Sequence, residues 1–135
     1  MPKPPSGRDT RQKRAIRDVF ERTARPLSTD EVFEGAQAAS EGLGIATVYR
    51  SIKSLVEDGF LDVVDVPGRV PVYERAGKPH HDHFLCTTCE RVYELDGCAT
   101  VLDGVLPRGF KAAGHDATIY GECADCARTR RQRSR

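Results

Sequence analysis

The sequence predicts an α+β chain in two parts, an N-terminal winged helix-turn-helix followed by a small α/β domain closed around a four-cysteine site. Three observations carry that prediction. Cys86-Thr87-Thr88-Cys89 and Cys123-Ala124-Asp125-Cys126 repeat the spacing that lets two thiolates reach one ion from a single turn. Three short segments of helical apolar period precede two β-rich runs joined by Pro67-Gly68-Arg69. Three of the four histidines fall in one tetrad, His80-His81-Asp82-His83, shortly before the first cysteine pair.

The first helix is expected from a Thr10 cap to about Thr23, with Ala15, Ile16, Val19 and Phe20 recurring at helical spacing. Pro26 closes the linker, and Ser28 followed by Glu31 is a capping box opening a second helix that buries Val32, Phe33 and Ala36. After the turn at Gly42 to Gly44, a third helix starts near Ala46-Thr47, buries Val48, Ile52, Leu55 and Val56, and stops at Gly59. Its other face carries Thr47, Tyr49, Arg50, Lys53 and Ser54. Runs from Phe60 to Val66 and Val70 to Tyr73 then form a hairpin. Donors and an aromatic ring on the free face of a third helix suit phosphates and base edges, so residues 1–76 are expected to bind double-stranded DNA.

Residues 77–127 are expected to form the second domain. Strands at His83 to Leu85 and Arg91 to Leu95 flank the first cysteine pair, Val101 to Leu106 form a short helix, and Ala117 to Tyr120 deliver the second pair. Four thiolates fill a tetrahedral zinc shell and leave no position for water or substrate, so Cys86, Cys89, Cys123 and Cys126 are structural. Cys98 has no neighbour at metal spacing and is expected to be an idle thiol.

Over 135 residues the net charge is only +1, but it is unevenly spread. Lys3, Arg8, Arg11, Lys13, Arg14, Arg17, Arg22 and Arg25 crowd the start, and five arginines lie in 128–135, which is expected to be a basic flexible tail. Basic ends point to a polyanion partner. No apolar run approaches membrane-spanning length and the start lacks a secretory signal, so the expected setting is cytoplasmic, with thiols reduced.

Ala46-Thr47-Val48-Tyr49-Arg50, the tetrad ahead of Cys86-x-x-Cys89, and Tyr120-Gly121-x-Cys123-x-x-Cys126 together resemble the Fur (ferric uptake regulator) family of metal-dependent repressors. The likeness runs from about Arg8 to Cys126. It implies a homodimer whose second domain is the dimerisation domain, binding an inverted-repeat operator when loaded with metal. It assigns Tyr49 and Arg50 to the DNA groove and Arg8 to the minor groove, with Arg11, Lys13, Thr47 and Lys53 beside them.

On an extended tetrad His81 and His83 point one way and His80 and Asp82 the other, so one segment feeds two places. The resemblance implies a regulatory shell of Asp62, Glu74, His81 and His83, with Glu94 in the same group, and a second group of His80, Asp82 and His115, with Asp103 as a fourth. Two positions depart from relatives: Pro26 replaces a histidine, and Ala76 replaces the zinc-branch cysteine. The regulatory ion is therefore left open among manganese, iron and zinc. The expected function is a metal-responsive repressor of metal-homeostasis genes. Two alternatives are a constitutive zinc-stapled DNA-binding protein and a zinc-dependent hydrolase. The hydrolase is disfavoured because the chain has no His-x-Glu signature.

Overall fold

Ile16, Val19 and Phe20 lie on one stripe of α1 (Gly7–Arg22) and are all buried. The computed structural model describes residues 7–98 and 104–134, with side chains from Thr10 onward. The helix begins at Gly7, so Thr10 lies inside it and is not its cap; nothing between Gly7 and Thr10 breaks a helix, and the first turn extends backward. Ser28 caps α2 (Thr29–Gln37), its side chain accepting from the Glu31 N–H while the Glu31 carboxylate accepts from the Ser28 N–H, the reciprocal pair the sequence predicts. Gly35 lets α2 approach α1 closely, since a Cβ there would stand 3.0 Å from Val19 Cγ1.

The third helix, α3 (Ile45–Glu57), buries Val48, Ile52 and Leu55 against Phe20, Val32 and Leu61. It ends where expected. Gly59 takes φ +81°, its N–H donates to the Val56 carbonyl, and the Phe60 N–H donates to the Leu55 carbonyl. These two bonds form a Schellman cap, which needs a left-handed residue.

The wing is β1 (Leu61–Val64) paired antiparallel with β2 (Val72–Arg75). The second strand starts later than the apolar run suggests, because Pro71 has no N–H to give the ladder, and Val70 is exposed. Leu27 exchanges both backbone hydrogen bonds with Tyr73 at 2.9 Å, so the linker before α2 extends the wing by one bridge.

The chain divides into two compact units, Met1–Gly77 and Lys78–Arg135. The second unit holds β3 (His83–Cys86), β4 (Val92–Glu94) and β5 (Thr118–Gly121) in the order β4-β3-β5. β3 pairs antiparallel with β4 and parallel with β5. The expected helix over Val101 to Leu106 falls partly outside the described residues. Its described end, from Gly104, is a turn, and Gly104 at φ +88° does not continue a right-handed helix.

The basic segment 128–135, expected to be a flexible tail, lies largely within α4 (Ala124–Arg133). The reason is local. Cys123 caps this helix through its sulfur, and Asp125 sits in the first turn. Arg128 pairs with Asp125 at 2.9 Å and Arg130 with Glu122 at 3.0 Å, while arginines in the last turn complement the helix dipole. Among the described residues, no helix is long and apolar enough to cross a membrane.

Candidate metal centres and nucleic-acid face

The parallel pairing of β3 with β5 builds the thiolate cluster. Cys86 lies opposite Gly121, and the Thr87 N–H donates to the Gly121 carbonyl at 2.7 Å, so Cys123 emerges beside the first pair. The four sulfurs of Cys86, Cys89, Cys123 and Cys126 lie within 4.8 Å of one another. The Cys89 and Cys123 sulfurs are 3.9 Å apart, close to the edge of about 3.8 Å that Zn–S bonds of about 2.3 Å give a tetrahedron.

Backbone N–H groups of Cys89 and Cys123 point at the Cys86 sulfur, at 3.5 and 3.3 Å. Burial works to raise the Cys86 pKa, but those donors and that of Thr88 bring it down to about 6. Cys126 meets the opposite balance. The adjacent Cys123 sulfur, then burial, then Cys86 and Cys89, push it up to about 12. Four sulfurs so placed cannot all ionise without a cation among them, and that is the fit of this site to zinc.

The tetrad alternates as the sequence predicts. His81 and His83 are neighbours, with ring centroids 4.8 Å apart. His81 Nδ1 lies 2.8 Å from the Pro79 carbonyl, and a proton held there leaves Nε2 as the metal-binding nitrogen. Glu94 stands opposite His83 across β3–β4 and brings Oε1 to 3.8 Å from His81 Nδ1. Its other oxygen takes a hydrogen bond from Lys78 Nζ at 2.6 Å. In the first unit, Asp62 and Glu74 are direct cross-strand partners of the wing, and Glu74 is 7% exposed.

His80 and Asp82 turn to the other side and meet His115. Asp82 is fully buried, with Oδ1 3.7 Å from His80 Nε2 and 3.6 Å from His115 Nε2. The two imidazoles meet edge to face, 4.7 Å between centroids. Cys98 joins them: one ligand atom from each of His80, Asp82, Cys98 and His115 lies within 4.8 Å of the others. The expectation that Cys98 is idle is corrected. The Asp82 N–H donates to the Gly97 carbonyl at 3.0 Å, which sets the next residue beside Asp82, a link that cysteine spacing does not reveal. Asp103, considered as a fourth ligand, lies outside the described residues.

On α3, Tyr49 is 57% exposed, and Arg50 and Lys53 are exposed with it. Arg50 Nη2 donates to Thr47 Oγ1 at 3.1 Å. Tyr49, Arg50 and Lys53 rim a shallow pocket between helix and wing, floored by Val56, Val63 and Tyr73. Arg11 is exposed on α1. Lys13 is engaged, its Nζ donating to Ser54 Oγ and to Asp58 Oδ2, both at 2.8 Å, so it ties α1 to the end of α3. The Arg8 side chain lies outside the described residues.

The sequence profile of the ferric uptake regulator family matches residues 6–120. The zinc uptake regulation protein of Mycobacterium tuberculosis is 30% identical over 122 residues, covering 88% of this chain and 94% of its own length. The ferric uptake regulation protein of Campylobacter jejuni is 37% identical over 87 residues; the match takes in 62% of this chain and 55% of that relative, about half its length. Among solved structures, the ferric uptake regulator of Helicobacter pylori, described as having three functional metal binding sites, superposes with a TM-score of 0.65 at 25% identity, covering 86% of this chain and 79% of its own. A zinc-bound manganese uptake regulator gives 0.70 at 23% identity over 83% and 87% of the two chains, a likeness of fold alone.

Proposed function

Because the chain belongs to the ferric uptake regulator family of metal-responsive transcription regulators, which are not enzymes, we propose that it is a homodimeric repressor whose regulatory ion is held by Asp62, Glu74, His81 and His83, with Glu94 beside them. The observation that carries this is the pair of ready half-sites. His81 and His83 turn their rings together in the second unit, and Asp62 and Glu74 face each other in the first. Two imidazoles and two carboxylates suit manganese, ferrous iron or zinc. Ligands drawn from both sides of the Gly77 hinge would let the ion select one arrangement of the two units.

Tyr49, Arg50, Thr47 and Lys53 form the reading face of α3, with Arg11 and Arg8 directed to the backbone or minor groove and Lys13 fixing α1 against α3. An Arg fork matches guanine or phosphate, and a Tyr ring packs on a thymine methyl. Dimer formation is supported by β5, an edge strand with Ile119 39% and Tyr120 52% exposed. A two-fold dimer reads an inverted repeat, its half-sites about one helical turn or a multiple apart. The structural zinc in the four cysteines holds the second unit and takes no part in sensing. The setting this implies is the cytoplasm.

The test is operator binding, with the structural zinc retained, across manganese, iron and zinc. A gain of roughly 5–150-fold with one ion is expected, the usual range of allosteric coupling. Equal affinity with and without every ion overturns the proposal and leaves a constitutive DNA-binding protein.

A further inference from the structure

We propose that His80, Asp82, Cys98 and His115 form a second reversible metal site that selects zinc, with Cys98 as its deciding ligand. The site stands apart from the regulatory shell, since His80 and Asp82 leave the tetrad on the side opposite His81 and His83.

Three backbone hydrogen bonds bring its parts together. The Asp82 N–H donates to the Gly97 carbonyl at 3.0 Å and the Leu95 N–H to the Asp82 carbonyl at 3.0 Å, clipping the turn that ends in Cys98 onto Asp82. The His83 N–H donates to the Ala117 carbonyl at 3.1 Å, which carries the loop with His115 to the same place. Asp82 is the centre of the arrangement. A carboxylate with no exposure is costly unless a cation or strong donors balance it. Both imidazole nitrogens stand 3.6–3.7 Å from its Oδ1, beyond hydrogen-bonding distance, a spacing that leaves the atoms as a set of donors around one point. His115 Nε2 is itself buried and has no hydrogen-bond partner among the described residues.

Cys98 decides the ion. Two imidazoles and one carboxylate alone make a three-ligand site that hard and borderline ions could share. A thiolate as the fourth donor closes the tetrahedron, balances a divalent charge together with Asp82, and favours zinc over manganese. Cys98 is exposed, so the ion can be exchanged from solvent and the thiol can be reached by reagents when the site is open.

The full-length protein is treated with a mild chelator that leaves the four-cysteine zinc in place. It is then pulsed with iodoacetamide alone, with zinc or with manganese, and Cys98 alkylation is read by peptide mass spectrometry. Zinc slows labelling by about 10-fold or more, the least that loss of even outer-shell partners costs a metal site, and manganese does not. The double variant His80→Ala, His115→Ala loses the protection; His81→Ala, His83→Ala keeps it and loses metal-dependent operator binding. Cys98→Ala, a surface substitution, weakens one zinc per chain by about 10–100-fold in a competition titration. Labelling unchanged by zinc, equal protection by manganese, or protection that survives loss of His80 and His115, each overturns the proposal. None of those results bears on the shell at His81 and His83.

Discussion

Asp62 and Glu74 stand directly opposite each other across the wing hairpin, two carboxylates on one face of a two-stranded ribbon. Like charges in that relation destabilise a sheet by up to about 1 kcal/mol unless a cation lies between them. Asp62→Asn is therefore expected to leave the metal-free protein as stable or slightly more stable, while cutting the metal-induced gain in operator affinity severalfold. Thermal unfolding in chelator and operator titration with metal measure the two effects. A variant that keeps the full metal response removes Asp62 from the shell.

Arg50 and Tyr49 are exposed on the face of α3 opposite the buried Val48, Ile52 and Leu55. Arg50→Ala is expected to cost about 1–3 kcal/mol at the operator and to relax base preference at one position in each half-site. Lys53→Ala is expected to weaken binding to all sequences alike and to lower the salt dependence by about one ion. Competition against base-substituted operators separates the two, and equal losses on every sequence for Arg50→Ala would count against base reading.

Glu31 is half-buried at the start of α2. Burial works to raise its pKa, but the hydrogen bond from Arg25, the Ser28 backbone N–H and the Arg25 charge hold it below the usual 4.5. A carboxylate depressed in the folded state stabilises it above the unfolded value and loses that contribution as pH falls through the folded value. Glu31→Gln is thus expected to lower the melting temperature at about pH 7 and to lose its effect below about pH 4. A difference that persists unchanged in acid would mean packing, not charge, is responsible.

Gly59 at φ +81° carries the cap that turns α3 into the wing. Nothing lies within 4 Å of a Cβ built there, so Gly59→Ala meets only backbone strain. A loss of about 1 kcal/mol in denaturant unfolding is expected, with the fold retained. A neutral result would show that the turn relaxes out of the left-handed region.

Cys86 has no exposure and accepts from two backbone donors. Cys86→Ser is expected to release the structural zinc and to open residues 78–135 to limited proteolysis, while the first unit, with its own core, survives. Retention of one zinc per chain after that change, read by elemental analysis, would contradict a four-thiolate shell.

What could be read from the sequence was whatever depends on near neighbours. The Ser28–Glu31 box, the stop at Gly59 and the alternation of His80 to His83 rest on spacings of four residues or fewer, and each is found. The late start of β2 was legible in principle, because Pro71 is visible, but the apolar run from Val70 masked it. The arginines of 128–135 read as a solvated tail only while Glu122, Asp125 and the capping sulfur of Cys123 were left out. Cys98 was missed for a different reason. Its neighbours come from hydrogen bonds between Asp82 and Gly97 and between His83 and Ala117, and no local pattern encodes such pairings.

The parallel pairing of β3 with β5 has a consequence for biosynthesis. On the ribosome, helices α1 to α3 and the wing can settle as soon as they emerge, since every partner in their core lies before Tyr73 or at it. The second unit has to wait. Its central strand lacks one neighbour, and half of its zinc ligands, until translation has passed Cys126, so completion of the sensor coincides with capture of its first metal ion.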